Sequence, residues 1–284
     1  AVTDNGFGMP KAELGLAVSR HATSKLARAE DLFRIATLGF RGEALASIGS
    51  VSRMTVKSRP KDADAGGQVR VDGGKMSPLT EIGIPQGTLV TVQDLFYNVP
   101  ARLKFLKTDN TERRHIEALV TRYALAYPHV RWELVVDGKA SLQTSGNGDQ
   151  REVLSNLYGV DIAKELLAVS FDEEDSHIHG FISPVTLTRS NRREITVFVN
   201  GRWVRDASVT AAILKAYHTL LMVGRYPIVV LFLEMPPETV DVNVHPAKAE
   251  VRFRQGDLVF TRTQRAVRRA LLAYSPVPNL RPQL

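Results

Sequence analysis

The stretch Gly39-Phe40-Arg41-Gly42-Glu43-Ala44-Leu45 decides how the chain is interpreted, because its glycine spacing is difficult to explain by packing alone. Glycine is favoured where the backbone turns tightly or approaches another group closely. The residues from Glu43 onward are good helix formers, so the stretch predicts a glycine-rich turn that leads into a helix. The free N–H groups and the positive dipole end of a helix N-terminus suit a phosphate group. Standing alone, the stretch is explained more simply as an ordinary loop that caps an ordinary helix.

Two polar motifs lie upstream of this stretch. Asp4 follows a short strand pattern and precedes a turn that contains Gly6 and Gly8, so its carboxylate is a candidate acceptor for an exocyclic amine or simply caps the turn. The segment Thr23-Ser24-Lys25 can hold anionic oxygens, or it can serve as a helix N-cap with a solvated lysine. The Gly6-x-Gly8 segment lacks the third glycine of a dinucleotide-binding fingerprint, and the sequence contains no GxxxxGK[ST] loop. Classical phosphate-loop chemistry is therefore disfavoured.

A second conspicuous stretch runs from Thr239 to Phe253. Valines alternate with Asp241, Asn243 and His245, which predicts a strand with one polar face. Lys248 follows in the loop after this strand. Its ammonium group is either solvated or reaches into a neighbouring site.

Composition and charge limit the possible classes of protein. A length of 284 residues predicts two domains, and the absence of cysteine excludes disulfides and thiolate metal sites. The longest apolar run, 228–233, is too short to span a bilayer. Residues 185–275 contain 14 lysines and arginines against 7 aspartates and glutamates, and the chain carries a net charge of +7. This asymmetry indicates a polyanionic partner, nucleic acid before membrane, although a merely basic surface is an equal alternative.

The last predicted helix, from about Asp257, places four arginines largely on one face: Arg262, Arg265, Arg268 and Arg269. Such a basic stripe can follow phosphates, but solvated arginine faces are common. His177 and His179 share a strand face, yet they lack a third ligand, so the sequence predicts no metal site there.

A polar, glycine-rich link at 146–149 is the best internal boundary. We therefore predict a first domain over 1–146, a second over 147–275, and the start of a proline-containing linker over 276–284. The opening residues read as the end of a strand, so further sequence is expected upstream, and the linker predicts more downstream.

Taken together, several motifs resemble one family in order and spacing. They are Asp4-x-Gly6-x-Gly8, the segment 21–25, the stretch 39–45, Gly87-Thr88, the segment 96–102, the segment 199–202 and the run 241–248. This set resembles the N-terminal ATPase region of MutL-type DNA mismatch repair proteins, over nearly the whole chain. The resemblance implies a mixed α/β (α+β) GHKL ATPase sandwich that binds ATP with Mg²⁺. It also implies a following α/β domain like domain 2 of ribosomal protein S5.

The resemblance also implies roles for individual residues. Asp4 would receive the adenine amine beside Thr88, Gly6 and Gly8 would let the backbone approach the base and sugar, and Lys248 would reach the γ-phosphate. The remaining nucleotide-binding residues would lie near the phosphates: Thr23, Ser24, Lys25, Gly39, Phe40, Arg41, Gly42, Ala44 and Leu45. For DNA, our predicted contacts are Arg202, Arg265 and Arg269.

One family motif is missing. Members carry a Glu-x-x-x-Asn-x-x-Asp-Ala pattern, whose glutamate activates water and whose asparagine binds magnesium, and the printed sequence does not contain it. No metal ligand is therefore predicted in this chain. We expect the full protein to be a Mg²⁺-dependent ATPase and this chain alone to hydrolyse ATP negligibly.

The resemblance favours a nucleotide-switched mediator of DNA mismatch repair. It implies a homodimer in full-length form, sequence-independent binding of single- or double-stranded DNA, and recruitment of a MutS-type mismatch-recognition protein and a downstream nuclease or helicase. No membrane partner is expected, and the implied location is the bacterial cytoplasm, near the nucleoid, or the nucleus in a eukaryote. The alternatives are a topoisomerase-type GHKL ATPase subunit and a non-catalytic DNA-binding module.

Overall fold

The computed structural model describes residues 1–20, 22, 42–241 and 251–274. The strands are β1 (Val2–Asp4), β2 (Arg53–Arg59), β3 (Gly66–Asp72), β4 (Lys75–Met76), β5 (Thr80–Ile82), β6 (Gly87–Gln93), β7 (Glu133–Val136), β8 (Lys139–Gln143), β9 (Leu167–Glu173), β10 (Ser176–Ile182), β11 (Thr188–Arg189), β12 (Ile195–Val199), β13 (Arg202–Val204), β14 (Tyr226–Pro227), β15 (Val229–Glu234), β16 (Val240–Asp241) and β17 (Arg252–Phe253). The helices are α1 (Leu14–Ala17), α2 (Ala44–Ser50), α3 (Pro100–Leu103), α4 (Asp109–Ala126), α5 (Gln150–Tyr158), α6 (Val160–Glu165), α7 (Ala207–Ala216) and α8 (Gly256–Tyr274). The described residues divide into two compact units, one ending at Asp109 and the other beginning at Asn110.

The first unit is built on a six-stranded sheet with the order β1-β6-β2-β3-β4, in which β5 also pairs with β3. Alternate residues of β2 and β3 point into one core, since Met54, Val56, Val69 and Val71 are buried there with Leu14. This alternation is the sequence signature of a strand with one buried face. The helix predicted to follow the glycine-rich turn is confirmed as α2.

The second unit is built on a five-stranded sheet with the order β13-β12-β15-β10-β9. Strands β12 and β15 are parallel, and the other neighbours in this sheet are antiparallel. The central strand β15 is buried from Val229 to Leu233, because apolar clusters cover both faces of the sheet. Residues of α7 and α8 pack on one face, and residues of α4, α5 and the β7–β8 hairpin pack on the other.

The division between the units falls before the predicted boundary near residue 146. Leu125 of α4 and Leu142 of β8 share one apolar cluster with Val153 and Leu154 of α5. These buried contacts join the segment 110–146 to the second unit. The glycine-rich link is a turn within that unit, with Gly146 at a φ of +75°.

Candidate functional site

A row of three polar side chains crosses the sheet of the first unit. Asp4 on β1 lies directly opposite Thr88 on β6, and Thr88 lies directly opposite Ser58 on β2. Directly opposed residues project from the same face of a sheet, with Cβ atoms about 4.5–5.5 Å apart. Asp4 is exposed, Thr88 is half-buried and Ser58 is fully buried. This polar row therefore presents hydrogen-bonding groups at its Asp4 end.

The Asp4 carboxylate has one oxygen engaged and one available. Its Oδ1 accepts a hydrogen bond from the backbone N–H of Gly6 at 2.9 Å. Within the part of the chain that the structure describes, no hydrogen bond reaches Oδ2. The loop is also held from β6, since Gln86 Nε2 donates to the carbonyl oxygen of Gly6 at 3.1 Å. Asp4 is thus oriented as an acceptor for a donor on a ligand.

Two glycines let the backbone close around this end of the sheet. Gly8 has a φ of +70°, and a Cβ there would lie 2.2 Å from the carbonyl oxygen of Arg59. Gly87 has a φ of +116°, and a Cβ there would lie 2.0 Å from the carbonyl oxygen of Asp4. Only glycine fits both the backbone conformation and the space at these positions. The tight space at Gly8 is explained by its packing against Arg59, and the predicted approach of this backbone to the base and sugar stays a prediction.

Ser58 is a member of the row that the sequence did not predict. Its Oγ accepts from the N–H of Met9 at 2.8 Å and donates to the carbonyl oxygen of Gly87 at 2.9 Å. It also lies 2.9 Å from Thr88 Oγ1. One signal was available: Ser58 occupies the inward position that follows Met54 and Val56 along β2. A serine at such a position needs buried partners.

The glycine-rich turn is described only at its second half. Gly42 has a φ of +61°, and a Cβ there would lie 2.2 Å from the carbonyl oxygen of Ala22. Helix α2 begins two residues later, with Glu43 at the N-cap and no side-chain cap hydrogen bond. Ala44 is the first residue of this helix, and Leu45 packs against the core. The other predicted phosphate-side residues lie outside the described residues, and their roles stay predictions: Thr23, Ser24, Lys25, Gly39, Phe40, Arg41 and Lys248.

The segment 96–102, one of the motifs that carry the family resemblance, follows β6 and includes the start of α3. The Tyr97 hydroxyl donates to Asp72, and this hydrogen bond raises the pKa of Tyr97. Arg53 pairs with Asp94 at 2.7 Å, and its guanidinium carbon lies 4.8 Å from the centre of the Tyr97 ring. Asn98 donates to the carbonyl oxygen of Ser50 at 3.0 Å. These contacts attach the loop to β2 and β3, so the structure gives this motif a structural role.

An open groove in the second unit is lined by several arginines; we call it the basic groove. Five arginines line it: Arg114, Arg122, Arg192, Arg193 and Arg205. Three carboxylates line it as well, but each has another partner. Glu117 accepts from Ser141 at 2.9 Å, Glu194 accepts from the Tyr158 hydroxyl, and Asp206 caps α7 by accepting from the N–H of Val209 at 2.7 Å. These hydrogen bonds do not neutralise the carboxylates, and the groove is positively charged overall because its five arginines outnumber its three carboxylates.

Two of these guanidinium groups lie over one indole ring. The guanidinium carbons of Arg122 and Arg205 are 4.0 Å and 4.8 Å from the centre of the Trp203 ring. Burial lowers the pKa of Arg122, and the charge of Arg205 lowers it further. No salt bridge joins either arginine to a carboxylate among the described residues. Two neighbouring cations without a counter-charge favour an anionic ligand.

The predicted DNA contacts occupy three different environments. Arg202 is 6% exposed, and burial lowers its pKa, so it lies beneath the surface rather than on it. Arg265 is exposed and pairs with Glu173 at 3.4 Å, while Arg269 is exposed. The sequence does not show which arginines are buried by the fold, so Arg202 was grouped with exposed residues. The exposed arginines of the basic groove were not singled out.

The predicted basic stripe on α8 is broken by Arg262. This side chain is 4% exposed and contacts the acidic turn between β9 and β10. Its Nη1 donates to Asp175 at 3.2 Å and to Ser176 Oγ at 2.6 Å, and its Nη2 pairs with Glu174. Arg268 is also engaged, through a hydrogen bond to the carbonyl oxygen of Ala216 at 3.1 Å. Because these groups already have partners, α8 does not present a continuous free stripe.

His177 and His179 share one face of β10, as predicted, with ring centres 4.8 Å apart. His177 contacts Asp172 at 2.5 Å, and His179 lies 3.4 Å from Glu234. Nowhere in 1–20, 22, 42–241 and 251–274 do three or more histidine or acidic side chains form a possible metal-binding group. Over the same residues, no helix combines the length and apolar character needed to cross a membrane.

Comparison with solved structures defines the class of fold. The crystal structure of the N-terminal domain of a DNA repair protein matches with a TM-score of 0.77 at 23% identity, covering 95% of this chain and 84% of that chain. The Aquifex aeolicus MutL ATPase domain complexed with ADP matches with a TM-score of 0.60 at 26% identity, covering 92% and 82%. The B-subunit of DNA gyrase from Myxococcus xanthus matches with a TM-score of 0.50 at 14% identity, covering 87% and 79%. The predicted mixed α/β fold of the GHKL ATPase class is confirmed.

Sequence comparison narrows the class to a family. Residues 154–272 match the family described as DNA mismatch repair protein, C-terminal domain. The DNA mismatch repair protein MutL of Shouchella clausii is 45% identical over 98% of this chain, and that of Streptococcus equi subsp. equi is 42% identical over 98%. The chain belongs to the MutL family of DNA mismatch repair proteins. It spans 42% of the length of these curated relatives.

Proposed function

We propose that this chain is the nucleotide-responsive region of a MutL-type mediator of DNA mismatch repair. ATP binding and hydrolysis would drive N-terminal dimerisation, DNA binding and recruitment of a mismatch-recognition protein and a downstream nuclease or helicase. The observation that carries this proposal is the polar row, closed by Gly8 and Gly87, in a chain with MutL relatives at 42–45% identity. The basic groove supplies the DNA-binding part.

The polar row fits the base of ATP. Asp4 keeps Oδ2 for a donor, and an exocyclic amine is such a donor. Gly8 lets the backbone lie against β2, and the base of ATP would bind at the Asp4 end of the polar row. The triphosphate would extend toward Gly42 and the turn before α2.

The residue roles in ATP hydrolysis are those that the family resemblance implies. Lys248 would stabilise charge on the γ-phosphate during transfer to water. Magnesium is expected with the nucleotide, and the asparagine that holds it in the family belongs to the pattern that the printed sequence lacks. The glutamate that activates water belongs to the same pattern. For this reason we expect negligible hydrolysis by this chain alone.

The basic groove, rather than the α8 face, would hold DNA. Arg122 and Arg205 have no carboxylate partner among the described residues, whereas Arg262 and Arg265 each contact the acidic β9–β10 hairpin. A phosphodiester backbone would provide the missing counter-charge without reading the base sequence. Sequence-independent binding is what a repair mediator needs, because mismatches occur in any sequence.

Replacing both groove arginines tests the DNA-binding part of the proposal. In the double variant Arg122→Ala and Arg205→Ala, we expect weaker DNA binding. The slope of log affinity against log salt concentration should also be smaller in magnitude by about 0.9 for each phosphate that the variant no longer neutralises. The measurement is the dissociation constant of full-length protein for a duplex and a single strand at several salt concentrations. Arg113→Ala is the matched control, because Arg113 lies on the same helix but pairs with Asp137 at 2.7 Å. An unchanged salt slope in the double variant would remove the basic groove from the account.

A further inference from the structure

The hydrogen bonds around Ser58 determine where its hydroxyl proton lies. A serine hydroxyl has one proton and two lone pairs. The N–H of Met9 can only donate and takes one lone pair at 2.8 Å, whereas the carbonyl oxygen of Gly87 can only accept and takes the proton at 2.9 Å. Directing the proton elsewhere would leave two buried oxygens facing each other without a hydrogen, which is unfavourable. One lone pair of Ser58 then remains.

That remaining lone pair sets the direction of the Thr88 hydroxyl. Thr88 Oγ1 lies 2.9 Å from Ser58 Oγ, and only Thr88 can supply the proton for this contact. The Thr88 hydrogen therefore points toward the interior, along the polar row. Only the lone pairs of Thr88 Oγ1 are left for a ligand. The neighbouring Asp4 also offers only lone pairs, because Oδ1 is engaged by Gly6 and Oδ2 is an acceptor.

Two adjacent acceptors select one kind of group on a ligand. An amino nitrogen with two hydrogens can donate to both Asp4 and Thr88, while an oxo group at the same position would face lone pairs on both sides. A site that hydrogen-bonds its ligand discriminates strongly against an analogue that cannot make those hydrogen bonds. An apolar pocket discriminates more weakly between ligands that differ only in shape.

We propose that buried Ser58 is a positioning residue that holds Thr88 as a pure acceptor, so that the Asp4–Thr88 pair selects a 6-amino over a 6-oxo purine nucleotide. This inference rests on the proposed nucleotide-binding function. Ser58 itself does not contact the base. It acts through Thr88, and its removal would free the Thr88 hydroxyl to rotate and donate.

The test compares ATP with inosine triphosphate, which carries an oxo group in place of the 6-amino group. Dissociation constants for both nucleotides are measured on full-length protein, and the readout is their ratio. We expect Ser58→Ala to reduce the preference for ATP by about 10-fold, the change expected when one discriminating hydrogen bond is removed. Thr88→Val should also reduce the preference, and Ser58→Ala added to Thr88→Val should change the ratio no further.

Ser52→Ala is the matched control. Ser52 is equally buried and donates to the carbonyl oxygen of Ile48 at 2.7 Å, but it lies outside the polar row. This variant should keep the wild-type ratio. If Ser58→Ala weakens ATP and inosine triphosphate by the same factor, or if Thr88→Val keeps the wild-type ratio, the positioning role is overturned. A wild-type protein that binds neither nucleotide would instead contradict the proposed function.

Discussion

At the scale of single residues, the candidate nucleotide site depends on positions where the backbone and not the side chain is needed. Gly8 and Gly87 adopt positive φ angles and lie against the carbonyl oxygens of Arg59 and Asp4. They let the loop after Asp4 pack closely beside the row that Asp4, Thr88 and Ser58 form across β1, β6 and β2. If the loop from Asp4 to Met9 moved away from β2, the hydrogen bonds that orient the polar row would be lost.

Gly8→Ala should therefore destabilise the protein and weaken nucleotide binding together. The new Cβ would lie 2.2 Å from the Arg59 carbonyl oxygen at a φ of +70°, so we expect a loss of about 1–3 kcal/mol in the free energy of unfolding. Urea denaturation measures this loss. Gly83→Ala is the control, because nothing lies within 4 Å of a Cβ there. Equal stability of the two variants would show that the loop accommodates the side chain.

A local turn pattern pointed to Asp4 and Gly8 and the family resemblance added Thr88, but neither indicated Ser58, for a physical reason. Glycine and an acidic residue after a strand pattern predict a turn from local sequence alone. Ser58 acquires its role only from Met9, in the loop after β1, and from Gly87, at the start of β6, and both lie far from it in the sequence. Such non-local contacts are invisible to local pattern analysis.

At the scale of elements, α8 was predicted correctly as a helix, but the exposed basic stripe predicted on it was wrong at Arg262. The periodicity predicted the helix well, and Val267, Ala270 and Leu271 are buried in the core. It also grouped Arg262 with the exposed cations. The structure instead buries Arg262 against the β9–β10 turn, because that acidic turn reaches the helix. Sequence periodicity identifies a face of a helix but not the element that packs on it.

Arg262→Ala should loosen the attachment of α8 to the sheet. Its guanidinium is 4% exposed, while its carboxylate partners are partly exposed, so we expect a loss of about 2 kcal/mol in the free energy of unfolding. Arg265→Ala should cost less than about 1 kcal/mol, because its side chain is 62% exposed. Chemical denaturation of both variants at the same pH and ionic strength gives the comparison. A larger loss for Arg265→Ala would contradict this assignment.

At the scale of the whole molecule, the chain combines two units with different chemistry. The first unit presents hydrogen-bond acceptors in the polar row, and the second presents the arginines of the basic groove. The fold class and the family could be predicted, since the motifs are local and ordered along the chain. The division of the units could not, because Leu125 and Leu142 join the second core through contacts that no local signal encodes.

The central claim is that Asp4 receives the base of ATP, and the most direct test is ATP binding by the Asp4→Asn variant. The substitution keeps the size of the side chain and an oxygen for Gly6, but an amide N–H₂ at the position of Oδ2 cannot accept a hydrogen bond. We expect the dissociation constant for ATP, measured by titration calorimetry on full-length protein, to rise about 10- to 100-fold. Asp64→Asn, at an exposed position outside the polar row, should leave it unchanged. Wild-type affinity in Asp4→Asn would contradict the account.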